Sequence, residues 1–421
     1  MKKITQYCKS LVIERSEFTK SFGKLFTASA LIAIISAICI PIISRIYSPE
    51  SLGSFQLLLS IIVVFSSVSS FRFEMAIILP EKKYQSEILI QVAIFSLIVS
   101  TLIYCILFFV FSSQVLKFFG AESLSNYSAI IPIAILLSGM LQLAQMYLVY
   151  NGDFSQLAIN KGAQSVSNNL VGIGSGSISP SVSSLMVSYL ASLVISLFFC
   201  FRTVRKISLP KRKRIPLAIR YAIKYKKFPS INTATVLLNT LSMNMPVFAL
   251  SKHYTLEAVG IYMMANRLLD MPVSIISSSL NQVYTKYAAD DYKKSPYLLR
   301  KRYLGTLNKL IVVGVLFCFC ILTLITFGIE NILGDAWGAA NVIIFYLMFS
   351  KAFQLMNSPL SSTFTIVNRQ EVALALIVVF LLLRYVSIAF PETLNLSIAM
   401  YALSTSAFYI VYNTFQYKVI K

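Results

Sequence analysis

Arg267, Asp270, Ser274, Ser277 and Asn281 recur at spacings of three and four along an otherwise apolar stretch. That periodicity gathers them on one face of a helix. A guanidinium, a carboxylate, two hydroxyls and a carboxamide make a surface that solvates ions and hydroxyl-rich groups. It has neither a nucleophile with its base nor a set of metal ligands, so its chemistry is binding. Four further positions extend the set. Arg72, Lys161 and Lys351 are cations, and Glu74 is the one other carboxylate well inside an apolar stretch. Asn168 and Asn239 add carboxamides on two more polar faces.

The elements that must position these residues follow from composition. The chain has 421 residues, 57% hydrophobic and 13% charged, with a mean hydropathy of +0.74. A soluble domain needs far more polar surface, so this is an all-α polytopic membrane protein. Apolar stretches long enough to cross a hydrocarbon core of about 30 Å occur from end to end. The pattern predicts twelve spans, at 25–46, 52–78, 87–111, 128–150, 154–178, 181–201, 229–250, 256–282, 304–327, 337–366, 371–390 and 395–416. The first is longer than a signal-peptide core and has no clear small-residue cleavage site, so it reads as a retained span. The fifth is interrupted by Asn160, Lys161, Gln164, Asn168 and Asn169, and their helical spacing suits a lumen-facing helix.

An isolated charge at the bilayer centre costs roughly 2.5 to 3.5 kcal/mol on insertion scales, so cations kept inside spans face a watery interior. Arg267 and Lys351 fall near mid-depth. Arg72 and Lys161 fall about 9 to 11 Å from their span ends at about 1.5 Å per residue. Glu74 and Asp270 cannot neutralise all four, so an anionic substrate is the expected partner. Arg267 and Asp270, three apart, can pair, whereas Arg72 and Glu74, two apart, point in different directions. Lys309 and Arg384 lie near span ends and are expected to snorkel. Further polar faces come from Asn232, Thr235, Asn239 and Ser242 on span seven, and from Gln56, Ser60, Ser67, Ser70 and Glu74 on span two. Single Ser and Asn residues also bond helices together without any ligand. Taken together, the stripes point to a cavity.

Orientation comes from the basic residues. Of the 37 Lys and Arg, six precede span one, eleven lie between Arg202 and Lys227, and six lie between Lys286 and Arg302. Basic short loops stay in the cytoplasm, which puts both termini inside. The net charge of +21 is then topological, and Lys211-Arg212-Lys213-Arg214 is a headgroup-facing loop with no nucleic-acid partner. Asp290-Asp291 sits beside Lys293 and Lys294 as solvated surface, and no metal or other cofactor is expected.

The chain also repeats itself. Tyr47-Ser48-Pro49-Glu50-Ser51-Leu52-Gly53-Ser54-Phe55 returns as Tyr254-Thr255-Leu256-Glu257-Ala258-Val259-Gly260-Ile261-Tyr262, an offset of 207 residues. Each copy joins a Pro-containing span (Pro41, Pro246) to the next. The expected organisation is two parallel pseudo-symmetric six-helix bundles, 1–201 and 229–421, joined by the basic cytoplasmic linker 202–228, with a site between them.

The residues Ile42-Ile43-Ser44-Arg45, Tyr47-Ser48-Pro49-Glu50 and Phe71 to Pro80 resemble the multidrug/oligosaccharidyl-lipid/polysaccharide (MOP) superfamily. Glu257-Ala258-Val259-Gly260, Arg267-Leu268-Leu269, Gly334 with Trp337, and Ser358-Pro359-Leu360-Ser361-Ser362 carry the resemblance into the second half. Within the superfamily the chain is similar to the polysaccharide-exporter branch that includes Wzx-type O-antigen flippases, with a MATE-like fold. The resemblance implies a flippase, not an enzyme. Its cargo would be an undecaprenyl-pyrophosphate-linked oligosaccharide repeat unit, moved between leaflets of a bacterial inner membrane by alternating access. It further implies cavity cations holding the pyrophosphate, best suited here by Arg267 and Arg72, and a polysaccharide polymerase and chain-length regulator as partners. Lys161, Lys351, Asn168 and Asn239 complete the expected substrate site. Glu74 and Asp270 are candidates for H⁺ or Na⁺ coupling, with the membrane potential as an alternative drive. Lipid II flippase relatives carry two further spans, so the end of this chain favours an O-unit or capsule-type cargo. Two other classes compete: a multidrug or organic-ion exporter of the same superfamily, whose cationic cargo a basic cavity would repel, and a membrane glycosyltransferase or polysaccharide polymerase, for which the short loops leave no domain.

Overall fold

The computed structural model describes residues 31–80, 82–200, 215–226 and 228–420. The basic N-terminal segment, Cys8 and Lys211-Arg212-Lys213-Arg214 lie outside them. Among the described residues the chain is almost entirely helical and has no strand. Twelve long helices follow the expected order: α1 Leu31–Ile46, α2 Pro49–Ser66, α3 Lys83–Val110, α4 Ile130–Tyr150, α5 Phe154–Ile178, α6 Val182–Phe199, α7 Thr233–His253, α8 Leu256–Lys294, α9 Pro296–Thr326, α10 Ala340–Asn357, α11 Gln370–Ala389 and α12 Leu394–Val419. Within the first half α5 packs on α6, and within the second α10 packs on α12 and α7 on α11. The halves meet chiefly where α2 crosses α8.

Eight helices are long and apolar enough to cross a bilayer on composition alone. The other four are α1, described only from Leu31, and α5, α8 and α10, which carry Lys161, Arg267 with Asp270, and Lys351. Polarity sits on helices whose faces are turned inward. The lipid-facing helices show the converse, with Phe95, Leu102, Ile106, Phe319 and Leu382 all more than half exposed.

Two predicted spans break. Span two ends as a helix at Ser66, and the chain turns through Phe71 and Arg72, both at positive φ, into the short helix Phe73–Ala76. Span ten ends at Asn357, and Pro359 continues it only as a short 3₁₀ turn. Helix α8 runs well past its expected end to Lys294, where Arg302 of α9 donates to Asp291. Asp291 is therefore a staple between two helices rather than free surface.

The internal repeat survives as matched structure. Ser48 and Thr255 each cap the helix that follows, accepting from the backbone N–H three residues on. Tyr47 donates to the Gly172 carbonyl on α5 at 2.7 Å, and Tyr254 donates to the Pro391 carbonyl before α12 at 2.6 Å. Each tyrosine thus ties its first helix pair to the last pair of its own half.

The two copies also touch each other. A Cβ built on Gly53 would lie 1.8 Å from the Leu256 carbonyl oxygen, and one on Gly260 would lie 1.8 Å from that of Pro49. Only glycine lets these backbones cross so closely. Ser44 and Ser251, again 207 apart, reach over the boundary. Ser44 donates to the Leu333 carbonyl at 2.9 Å, and Ser251 donates to that of Phe119 at 3.0 Å. Trp337 returns a hydrogen bond to the Ser44 carbonyl at 2.8 Å, on a turn that needs Gly334 at φ +101°. This two-fold clasp closes the end of the molecule expected to be external.

Candidate functional site

Below the clasp a cavity of about 600 Å³ opens between the halves. It is walled by α1, α2, α5 and α6 on one side and α8 on the other. Lys161, Gln164 and Asn168 enter from α5, Gln56 from α2, and Asn266, Arg267, Asp270 and Ser274 from α8. A second cavity of about 500 Å³ follows the same face of α8 through Ser277 and Asn281 and shares Asp270 and Ser274 with the first. The spacing of the α8 stripe thus lines two contiguous chambers, as its periodicity requires.

Charge pairing differs from the sequence expectation. Asp270 does not pair with Arg267. Its carboxylate accepts from Lys351 on α10 at 2.5 Å and from Asn266 one turn back at 2.5 Å. Lys351, with only 11% of its side chain exposed, stands behind the cavity wall, neutralised by Asp270, and does not line the central chamber. Arg267 has no carboxylate partner among the described residues, and Lys161 has none either. The chamber therefore presents two uncompensated cations from opposite halves, one on α5 and one on α8.

Arg72 and Glu74 lie elsewhere. The positive-φ break after α2 turns Arg72 back on Glu74, so the two pair at 3.3 Å although they are two apart in sequence. Ser70 also donates to Glu74. Neither residue lines the central cavity, and their neighbours Phe73, Ala76 and Ile77 belong to a separate apolar cluster with Ile88, Leu89 and Val92 of α3. The helical geometry behind the sequence expectation fails because the backbone is not helical at Arg72.

Asn239 and Ser242 of α7 face neither central chamber. They line a third cavity, of about 320 Å³, inside the second half with α10, α11 and α12. Arg384 points into it. This side chain was expected to snorkel, yet it is 8% exposed, its guanidinium carbon lies 3.9 Å from the Phe380 ring centroid, and it donates to the carbonyl of Ser242. The reason is Pro246, four residues on within α7, which has no N–H to fill that carbonyl. A proline in a span thus signals a free carbonyl one turn back, and that signal could have found Arg384. On span two, Gln56 reaches the central chamber, while Ser60 is buried and receives a hydrogen bond from Gln56 at 3.4 Å.

The arrangement can dehydrate an anionic, hydroxyl-rich group between two halves that are clasped at one end. Comparison with known proteins agrees at the level of fold. The lipid II flippase MurJ in an inward closed conformation superposes with a TM-score of 0.75 at 14% identity, covering 94% of this chain and 87% of that one. An inward-facing MATE-family multidrug resistance transporter of the MOP superfamily gives 0.66 at 13% identity, covering 94% of each chain. A mutant of the Vibrio cholerae MATE transporter VcmN gives 0.59 at 12% identity, covering 95% of each. No curated protein sequence matches the chain. The family model described as "Polysaccharide biosynthesis protein" matches residues 42–342. The chain therefore belongs to the polysaccharide biosynthesis protein family and is a multi-pass membrane protein with the MurJ and MATE fold of the MOP superfamily.

Proposed function

We propose that this protein flips an undecaprenyl-pyrophosphate-linked oligosaccharide repeat unit, of the O-antigen type, from the cytoplasmic to the periplasmic leaflet of a bacterial inner membrane. Both termini are cytoplasmic, and the bundles 1–201 and 229–421, joined by the 202–228 linker, rock against each other around the central cavity. One observation carries this reading: Arg267 and Lys161 face a common chamber from opposite halves, and neither has a carboxylate partner among the described residues. A pyrophosphate diester brings roughly two negative charges, which matches two free cations. The amides of Gln56, Gln164, Asn168 and Asn266 take the place of water around phosphate and sugar, while the lipid tail stays in the bilayer. Lys161 replaces Arg72 in the pyrophosphate role, since Arg72 is committed to Glu74. An exporter of organic cations would need the opposite sign of charge here.

The test is a deletion strain complemented with variants, followed by mass spectrometry of its lipid-linked oligosaccharide. Arg267→Ala and Lys161→Ala should each reduce surface polysaccharide about tenfold or more, with protein retained in the membrane and the lipid-linked unit trapped on the cytoplasmic leaflet. Normal polysaccharide from both variants would remove these residues from the site.

Glu74 and Asp270 each hold a cationic side chain already, which leaves the membrane potential as the favoured drive. Moving one negative charge out of a cell releases about 2.3 kcal/mol per 100 mV. In reconstituted vesicles, flipping should follow the imposed potential and continue when the H⁺ and Na⁺ gradients are collapsed separately. Dependence on either gradient would restore an ion-coupling role. A polymerase and a chain-length regulator are the proposed partners that consume the flipped unit.

A further inference from the structure

Arg384 is a second buried cation of the second half's interior, and unlike Lys351 it has no carboxylate partner among the described residues. It is 8% exposed and lies within the bundle. One terminal nitrogen is spent on the oxygens of Ser242. Its Nε is buried and has no hydrogen-bond partner. Stacking on Phe380, itself stacked face to face on Phe408 at 3.6 Å, fixes the plane of the guanidinium and offsets part of the cost of burying it. A buried charge without an anionic partner is expensive, and this one borders a space of about 320 Å³.

We propose that this space is a second anion site, in which Arg384 takes a single carboxylate or phosphate group. The planar guanidinium suits a two-oxygen acceptor. Asn239, whose amide has no hydrogen bond to a described residue, supplies a further donor from α7, and Tyr409 and Tyr412 line the same cavity. The route in is polar. Gln354, Ser358 and Ser361 line both this cavity and the second chamber, which in turn shares Asp270 with the central one. An oxyanion can therefore come from either of two sources, free inorganic phosphate or the acidic sugar of a glycan lying along the α8 stripe.

Calorimetric titration of the full-length protein in nanodiscs tests this, with inorganic phosphate, glucuronate and, as a neutral control, glucose. The background is Arg267→Gln with Lys161→Gln, which removes the central cations. In that background one phosphate or glucuronate should still bind. Arg384→Gln, which keeps a polar side chain but removes the guanidinium and ends two bonds short of the Ser242 carbonyl, should weaken it about tenfold or more. Asn239→Leu, which removes the amide donor, puts an apolar side chain in its place and leaves the arginine in position, should do the same and keeps the test decisive if the Arg384 variant does not fold. Glucuronate binding in preference to phosphate assigns the site to an acidic sugar, and the reverse assigns it to a free anion. Both results support the site. Glucose binding as well as glucuronate, no anion binding in the background, or binding that survives Asn239→Leu would overturn it. None of these outcomes depends on whether the protein flips a lipid.

Discussion

Asp270 sits where two chambers meet, and its hydrogen bonds decide the charge of both. With Lys351 and Asn266 on its oxygens, it cannot also screen Arg267, so the free cation of the site exists because a different cation has taken the carboxylate. Asp270→Asn should leave Lys351 uncompensated with 11% of its side chain exposed. The cost is roughly 1 to 3 kcal/mol, below the value for a fully enclosed pair because Asp270 opens onto the cavity. Lys351→Met in the same protein should recover most of that loss. Thermal unfolding of the single and double variants in detergent checks the coupling, and additive losses would show that the pair contributes nothing. Arg72 illustrates the opposite fate: a cation nearer the end of its span becomes part of the packing because its backbone turns through positive φ.

Elements behave according to what their neighbours leave open. Pro246 empties a carbonyl on α7 and Arg384 fills it from α11. Pro359 stops α10 as an α-helix, and the carbonyls of Ser358 and Pro359 accept from Asn281 at 3.3 and 3.1 Å. The break at the end of α10 thus gives α8 one of its polar contacts. The crossing of α2 over α8 depends on Gly53 and Gly260, each with a backbone oxygen 1.8 Å from where a Cβ would stand. Gly53→Ala should therefore push α2 and α8 apart and open the clasped end. In a cysteine-free protein with Ser274→Cys, a membrane-impermeant thiol reagent added from outside should label the cavity in the Gly53→Ala variant and leave the parent protected. Equal protection of both would mean that the crossing does not control access.

At the scale of the whole molecule, the two halves are joined by a symmetric device. Ser44 and Ser251 each donate to a carbonyl of the opposite half, on the connector between the third and fourth helices of that half. Removing both in Ser44→Val with Ser251→Val should cost about 1 kcal/mol per bond. A shift near 2 kcal/mol moves a two-state equilibrium about thirtyfold toward opening at that end. The same external labelling should show the double variant reactive and each single variant intermediate. No change in the double variant would place closure in the apolar packing around Phe119 and Phe248, whose rings lie 4.7 Å apart.

The twelve helices, the repeat and the α8 stripe could be read in the sequence because each is a periodicity, and a bilayer enforces periodicity strictly: every lipid-facing position must be apolar. Lys161, Asn168, Arg267 and Asp270 were legible as a cavity set for the same reason. Which cation pairs with which carboxylate was not legible. Lys351 and Asp270 are 81 residues apart and meet only when α8 packs on α10. Arg72 and Glu74 meet only because the helix fails between them, and Asn239 and Arg384 define a chamber only once α7 and α11 are side by side. Helical spacing settles which face a residue occupies, whereas partnership among charges is settled by what stands opposite that face, and that is a property of the packed molecule alone.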